Sequence, residues 1–184
     1  MDNLLQGLNI YLIGMMGVGK TTIGQLLADK LNYRFLDTDL IIETAANKTI
    51  NEIFEREGEV SFRLIETEVL GEVSNYIRTV ISTGGGIVLN PKNWSYLHYG
   101  LIIWLNAPLE LLIKRLAQDR SRPLLKEVDL KLKLESLLEQ RKPLYGQADL
   151  SIEIEANQTP EEITTEIIKQ IPSKIRPEFK ANLN

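Results

Sequence analysis

The sequence predicts an α/β fold, a three-layer sandwich around a parallel β-sheet. Short apolar runs rich in β-branched and aromatic residues recur along the chain, as buried parallel strands do. Between them lie longer segments whose apolar residues repeat at helical spacing. The first apolar run passes into a glycine-rich turn and then an amphipathic segment, a strand–turn–helix unit.

The first strand is "LNIYLI" (8–13), and Ile23, Leu26, Leu27 and Leu31 then share one helix face. "YRFLD" (33–37) is the second strand. Thr49 and Glu52 make a capping box that starts the next helix, and Gly58 is expected to stop it. Phe62, Ile65, Val69, Val73 and Tyr76 continue as a second long helix. "TVIST" (79–83) and "LIIWL" (101–105) are further strands. Leu130, Leu134, Leu137, Leu138 and Arg141 return to helical periodicity, and "LSIEI" (150–154) is the last strand. Thr159–Pro160 with Glu162 caps a final helix carrying Ile163, Ile167, Ile168 and Ile171. "PSKIRPEFKANLN" (172–184) lacks periodicity and is expected to fray. The polar connections near 37–60 and 114–128 are long for simple loops and read as substrate-handling insertions or lids.

The composition fits a single domain, residues 1–184, with a real core: 43% of residues are hydrophobic and 25% charged. A net charge of −4 offers no global basic field for nucleic acid. The absence of cysteine excludes disulfides, thiol catalysis and cysteine-ligated metal. No segment approaches the ~18 apolar residues of a membrane span, and "MDNLLQGLNI" has no basic leader. The cytoplasm is the expected location, or a plastid if a transit peptide has been removed. Trp104 is expected in the core and Trp94 as a surface anchor. His98, the sole histidine, reads as a surface residue without a catalytic part.

The turn "GMMGVGKT" contains Gly14-x-x-x-x-Gly19-Lys20-Thr21, the P-loop pattern. Its glycines let backbone N–H groups turn inward around a phosphate, and the following helix adds its positive N-terminal end. Gly17, Val18, Gly19, Lys20, Thr21 and Thr22 are therefore the expected nucleotide contacts. Lys20 would reach the β- and γ-phosphates, and the Thr21 hydroxyl would ligate Mg²⁺. A P-loop alone does not separate kinases from other nucleotide binders. The Asn-Lys-x-Asp motif that usually accompanies GTPases is missing, and the chain is short for large ATPases.

Asp37 and Asp39 end the second strand, where ligands bind in open α/β sheets. If both were extended they would point the same way. One could then help hold Mg²⁺ through water, while the other bonded a substrate hydroxyl and took its proton. A solvated turn with N-cap aspartates is the alternative. Arg63 sits among apolar helix positions, either paired with Glu59 or Glu66 or snorkelling. Gly84, Gly85 and Gly86 follow a strand, as a backbone closely approached by a ligand would require. "DRSRPLLK" (119–126) puts Arg120 and Arg122 in a polar loop, and Arg141 closes a helix just before Pro143.

Together these residues resemble the shikimate kinase family. The matching run comprises Gly14 to Thr21, Asp37-Thr38-Asp39, Gly58-Glu59, Phe62-Arg63 and Glu66. It continues through Ser82 to Gly86, Arg122 to Leu125, and Arg141 with Pro143-Leu144-Tyr145. The motifs follow family order over roughly residues 8–170. The resemblance implies a parallel sheet of five strands in order 2-3-1-4-5, a substrate-binding segment at about 37–70 and a lid at about 117–128. It implies transfer of the ATP γ-phosphate to the 3-hydroxyl of shikimate, a step toward chorismate and the aromatic amino acids. Asp39 would hold the shikimate hydroxyls, including the attacking one. Arg63 and Arg141 would clamp its carboxylate, and Gly85 would offer backbone contact to the ring. Lys20 and Arg122 would meet the transferred phosphoryl. Thr21 would hold Mg²⁺ with Asp37 behind it through water, and Gln158 would lie near adenine. The expected partners are small molecules alone, with the protein a monomer. Rival readings are another small-molecule kinase, such as a gluconate or nucleotide kinase, and a binding module that has lost catalysis.

Overall fold

The structure, a computed structural model, describes residues 5, 7–118 and 127–174. Strands β1 (Ile10–Ile13), β2 (Arg34–Asp37), β3 (Thr79–Ser82), β4 (Leu101–Asn106) and β5 (Leu150–Glu153) form one sheet. Its order is β2-β3-β1-β4-β5 and every pairing is parallel, as the resemblance implied. β1 is central and wholly buried, which explains its unbroken apolar run.

Helices cover both faces of the sheet. α1 (Lys20–Leu31) buries Ile23, Leu27 and Leu31 and packs on β3 and on α7 (Pro160–Lys174). α2 (Thr38–Ala46) packs against α3 (Ile50–Val73), and α3 against α4 (Pro91–Leu97). α5 (Leu109–Gln118) meets α6 (Glu127–Tyr145), which also contacts the short 3₁₀ turn Ile87–Leu89.

Both predicted capping boxes form. Thr49 and Glu52 bond reciprocally at the start of α3, as do Thr159 and Glu162 at the start of α7. Gly58 does not stop α3 but breaks it for one residue, with φ 82 and ψ 168, so the helix bends and resumes. Tyr76 falls beyond α3, which ends at Val73. Residues 172–174 continue α7, while the remainder of the predicted frayed tail lies outside the described residues. Trp104 is core as expected, but Trp94 is also buried, because its indole N–H reaches the Val88 carbonyl at 3.1 Å. His98 is exposed at the end of α4.

Candidate active site

The candidate residues gather at the carboxyl edge of the sheet, where β1, β2 and β3 release the chain into loops. In register, Asp37 lies opposite Ser82 and Leu12 opposite the same Ser82. The turn after β1, the start of α2 and the glycine triplet therefore leave adjacent strands side by side.

The turn after β1 has the backbone of a phosphate cradle. Gly14, Gly17 and Gly19 all have positive φ, a conformation that side chains rarely adopt. Gly19, at φ 103, starts α1 without any side-chain cap, at the end of the helix whose dipole favours an anion. Lys20 is buried and folds back over the loop. Its ammonium donates to the carbonyls of Gly14 at 2.8 Å and Met15 at 3.0 Å. From α5, Arg115 donates to the Val18 carbonyl at 2.8 Å and ties the loop down from outside. Thr22 is exposed on the first turn of α1.

Thr21 donates its hydroxyl to Asp37 Oδ2 at 2.7 Å. Asp37 is not one of two extended carboxylates in alternation. It caps α2, Oδ1 accepting from the N–H groups of Asp39 and Leu40 at 3.0 and 3.4 Å, and Asp39 occupies the first helical turn. The cap uses one oxygen of Asp37 and leaves the other on the threonine hydroxyl beside the phosphate cradle. Asp39 faces a different way, toward Gly84.

Gly84 is pinned between carboxylates. A Cβ there would lie 2.6 Å from Glu66 Oε1 and 2.9 Å from Asp39 Oδ1. A Cβ on Gly86 would overlap the Arg63 guanidinium. The triplet is small because charged groups crowd it on two sides. Its backbone is anchored by the Gly84 N–H on the Thr38 hydroxyl and by the preceding Thr83 hydroxyl on the Leu12 carbonyl.

Arg63 is held by two acids of its own helix, at 2.7 Å to Glu66 and 3.2 Å to Glu59. Both sequence alternatives for pairing are thus realised together. Glu66 is fully buried, and its Oε1 has no hydrogen-bond partner among the described residues. Burial pushes the Glu66 carboxyl above its usual range, Arg63 opposes this, and Asp39 adds to the rise. Arg141, only 5% exposed, donates through Nη1 to the Gly85 carbonyl at 3.1 Å. Its Nε is buried without a partner among the described residues. Tyr145, one turn on, donates to the same Gly85 carbonyl at 2.6 Å.

Two arginines, two carboxylates and a pinned backbone segment thus surround one place beside a phosphate cradle. Such a set suits an acceptor with an anionic end and hydroxyls. A family model described as shikimate kinase matches residues 16–172. The chain belongs to the shikimate kinase family. A shikimate kinase from Rippkaea orientalis is 60% identical over 98% of this chain and 97% of its own length. One from Nostoc punctiforme is 57% identical over 97% of this chain and 98% of its own. The structure of shikimate kinase from Acinetobacter baumannii in complex with shikimate superposes with a TM-score of 0.85 at 40% identity. That match covers 95% of this chain and 99% of the other.

Sequence reasoning placed Lys20, Thr21, Asp37, Asp39, Arg63, Gly85 and Arg141, and the shikimate kinase fold brings all of them to this edge. Arg122 and residues 119–126 of the predicted lid (about 117–128) lie outside the described residues. Gln158 sits in the turn before α7, where its Oε1 accepts from the Glu155 N–H at 2.9 Å. Arg115 carries no role in the sequence, and Glu66 and Tyr145 stand in the family-like run without one beyond the pairing of Glu66 with Arg63. The contacts of Arg115 with Val18, of Tyr145 with Gly85 and of Glu66 with Gly84 cross between elements, where local spacing does not show them. The phenol of Tyr145 reaches a carbonyl 60 positions away.

Proposed function

We propose that the protein transfers the γ-phosphate of ATP to the 3-hydroxyl of shikimate, giving shikimate 3-phosphate and ADP. The observation that carries this is the convergence of Asp39, Arg63 and Arg141 on the glycine triplet beside the phosphate cradle. Family membership over nearly the whole chain supports the same reaction.

In this reading the amide groups of Gly17, Val18 and Gly19 and the start of α1, with Thr22, receive the ATP phosphates. Lys20 exchanges its loop carbonyls for phosphate oxygens and meets the charge that shifts during transfer. Arg122, by family resemblance, adds a second cation there, and Gln158 lies near adenine. Arg63 and Arg141 take the shikimate carboxylate, Gly85 borders the ring, and Asp39 orients the attacking hydroxyl and accepts its proton.

The donor set at Thr21 and Asp37 fits Mg²⁺. It is a hydroxyl and a carboxylate in contact, hard oxygens beside a phosphate cradle. Among the described residues there is no cluster of three or more acidic or histidine ligands, which suits a metal shared with phosphate and water. When bound, Mg²⁺ would neutralise charge on the phosphate oxygens. Among the described residues no helix is long and apolar enough to cross a membrane. A cytoplasmic monomer acting on small molecules completes the reading.

A substrate panel with coupled ADP detection tests it. Shikimate should stimulate ADP release, while gluconate and nucleoside monophosphates should not. Faster turnover of either alternative would replace the proposal.

A further inference from the structure

We infer that Tyr145 is a positioning residue for acceptor binding, its hydroxyl holding the Gly85 carbonyl that also holds Arg141. The inference rests on the functional reading above and adds a residue to it.

The phenol is fixed from every side. Tyr145 is fully buried, and its ring stacks on Trp104 with centroids 5.8 Å apart. Its oxygen lies 2.6 Å from Gly85 O and 3.6 Å from Met15 Sδ. A phenol has one proton, and the short contact to the better acceptor takes it. Burial pushes this phenol up to about 12, so the proton stays in place at working pH. Tyr145 is therefore a donor and never a base.

The Gly85 carbonyl has two lone pairs and two donors, Tyr145 Oη and Arg141 Nη1 at 3.1 Å. Both donors come from the last turns of α6, and the acceptor belongs to the glycine triplet. The shared carbonyl thus sets how the Arg141 head sits against the triplet. Arg141 Nε, buried and without a partner among the described residues, is the donor this arrangement keeps for an incoming oxygen. Without the hydroxyl, the carbonyl has only Arg141, and the peptide can tilt toward it. Arg141 would then lose its reference rather than its charge.

The test compares the wild-type chain with Y145F, with 4-aminophenylalanine at position 145, with R141K and with the double variant. Steady-state rates are measured with shikimate varied at saturating MgATP, and with ATP varied. Y145F should raise KM for shikimate about 5–20-fold, the loss of one buried hydrogen bond. Its kcat and its KM for ATP should change less than about twofold. 4-Aminophenylalanine, which restores a donor, should recover most of the loss. In the R141K background, removing the hydroxyl should add less than about twofold, because the two residues share one carbonyl and also touch each other. Calorimetric binding of shikimate at low temperature keeps the comparison on folded protein if Y145F melts early. An unchanged KM for shikimate, equal losses for both substrates, or multiplying effects in the double variant would overturn the inference. A wild-type chain with no shikimate-dependent turnover would sink the functional reading, and this inference with it. Normal turnover beside an indifferent Y145F would sink this inference alone.

Discussion

The Lys20 ammonium donates to the Gly14 carbonyl at 2.8 Å, closing the phosphate cradle with the side chain meant to serve it. The lysine is buried in this position, so its desolvation is already met by carbonyls before any phosphate arrives. Lys20→Ala should lower kcat about 10²–10³-fold, the usual scale for losing one preorganised donor to a transition state. Far-ultraviolet circular dichroism should show the fold retained. A variant with wild-type kcat would remove this loop from the reaction.

Glu66 should leave a signature in stability against pH. Its raised carboxyl means the folded state holds the proton more tightly than the unfolded chain. Its contribution is thus present below the unfolded value, near 4.5, and is lost as pH rises through the folded one. Glu66→Gln cannot ionise, so its stability relative to wild type should climb as pH rises from about 4 to 7. Urea denaturation at several pH values measures this. A difference that falls with rising pH would show that pairing with Arg63 outweighs burial.

The crowding of the glycine triplet predicts which methyl groups the site will refuse. Gly84→Ala would press on Glu66 and Asp39, and Gly86→Ala on the Arg63 guanidinium. Both should weaken shikimate binding by about tenfold or more, since the methyl is accommodated only by displacing the side-chain ends that border the acceptor. Isothermal calorimetry reads the effect. Wild-type affinity in both variants would mean that the charged groups do not border the acceptor.

Arg63 and Arg141 should act on acceptor binding, because a carboxylate keeps its charge throughout phosphoryl transfer. Replacing either with Ala should cost about 2–4 kcal/mol in kcat/KM, expressed mainly in KM for shikimate. Arg63→Lys should still be impaired, since lysine lacks the planar fork. Asp39→Asn should instead lower kcat more than it raises KM, because it keeps the shape and loses the proton acceptor. Arginine variants with wild-type KM would dissolve the clamp, and Asp39→Asn at wild-type rate would move the base elsewhere.

The strands were legible because a parallel sheet buries both faces, and β1 and β4 read as continuous apolar runs. Their order was not in those runs. It came from the resemblance, since pairing depends on crossover geometry rather than on local pattern. Gly58 was legible as a breaker, but whether a helix resumes after one non-helical residue depends on what its far half packs against. Trp94 read as a surface residue because the carbonyl that satisfies its indole, on Val88, lies outside its own helix. At the site, the P-loop was plain from spacing alone. Asp37 and Asp39 were visible as a pair, but helix α2 begins between them and sends them to different partners. Buried Glu66 and Tyr145 carry no local sign of their surroundings, because those contacts arise only when α3 and α6 close on the triplet.

The most direct measurement is the identity of the phosphorylated product. Shikimate, ATP and the purified chain should be incubated with and without Mg²⁺ and the product assigned by ³¹P–¹H correlation spectroscopy. The expected product is a single phosphomonoester whose phosphorus couples to the proton on C3, formed only with Mg²⁺. Phosphate on another hydroxyl, or inorganic phosphate alone, would contradict it.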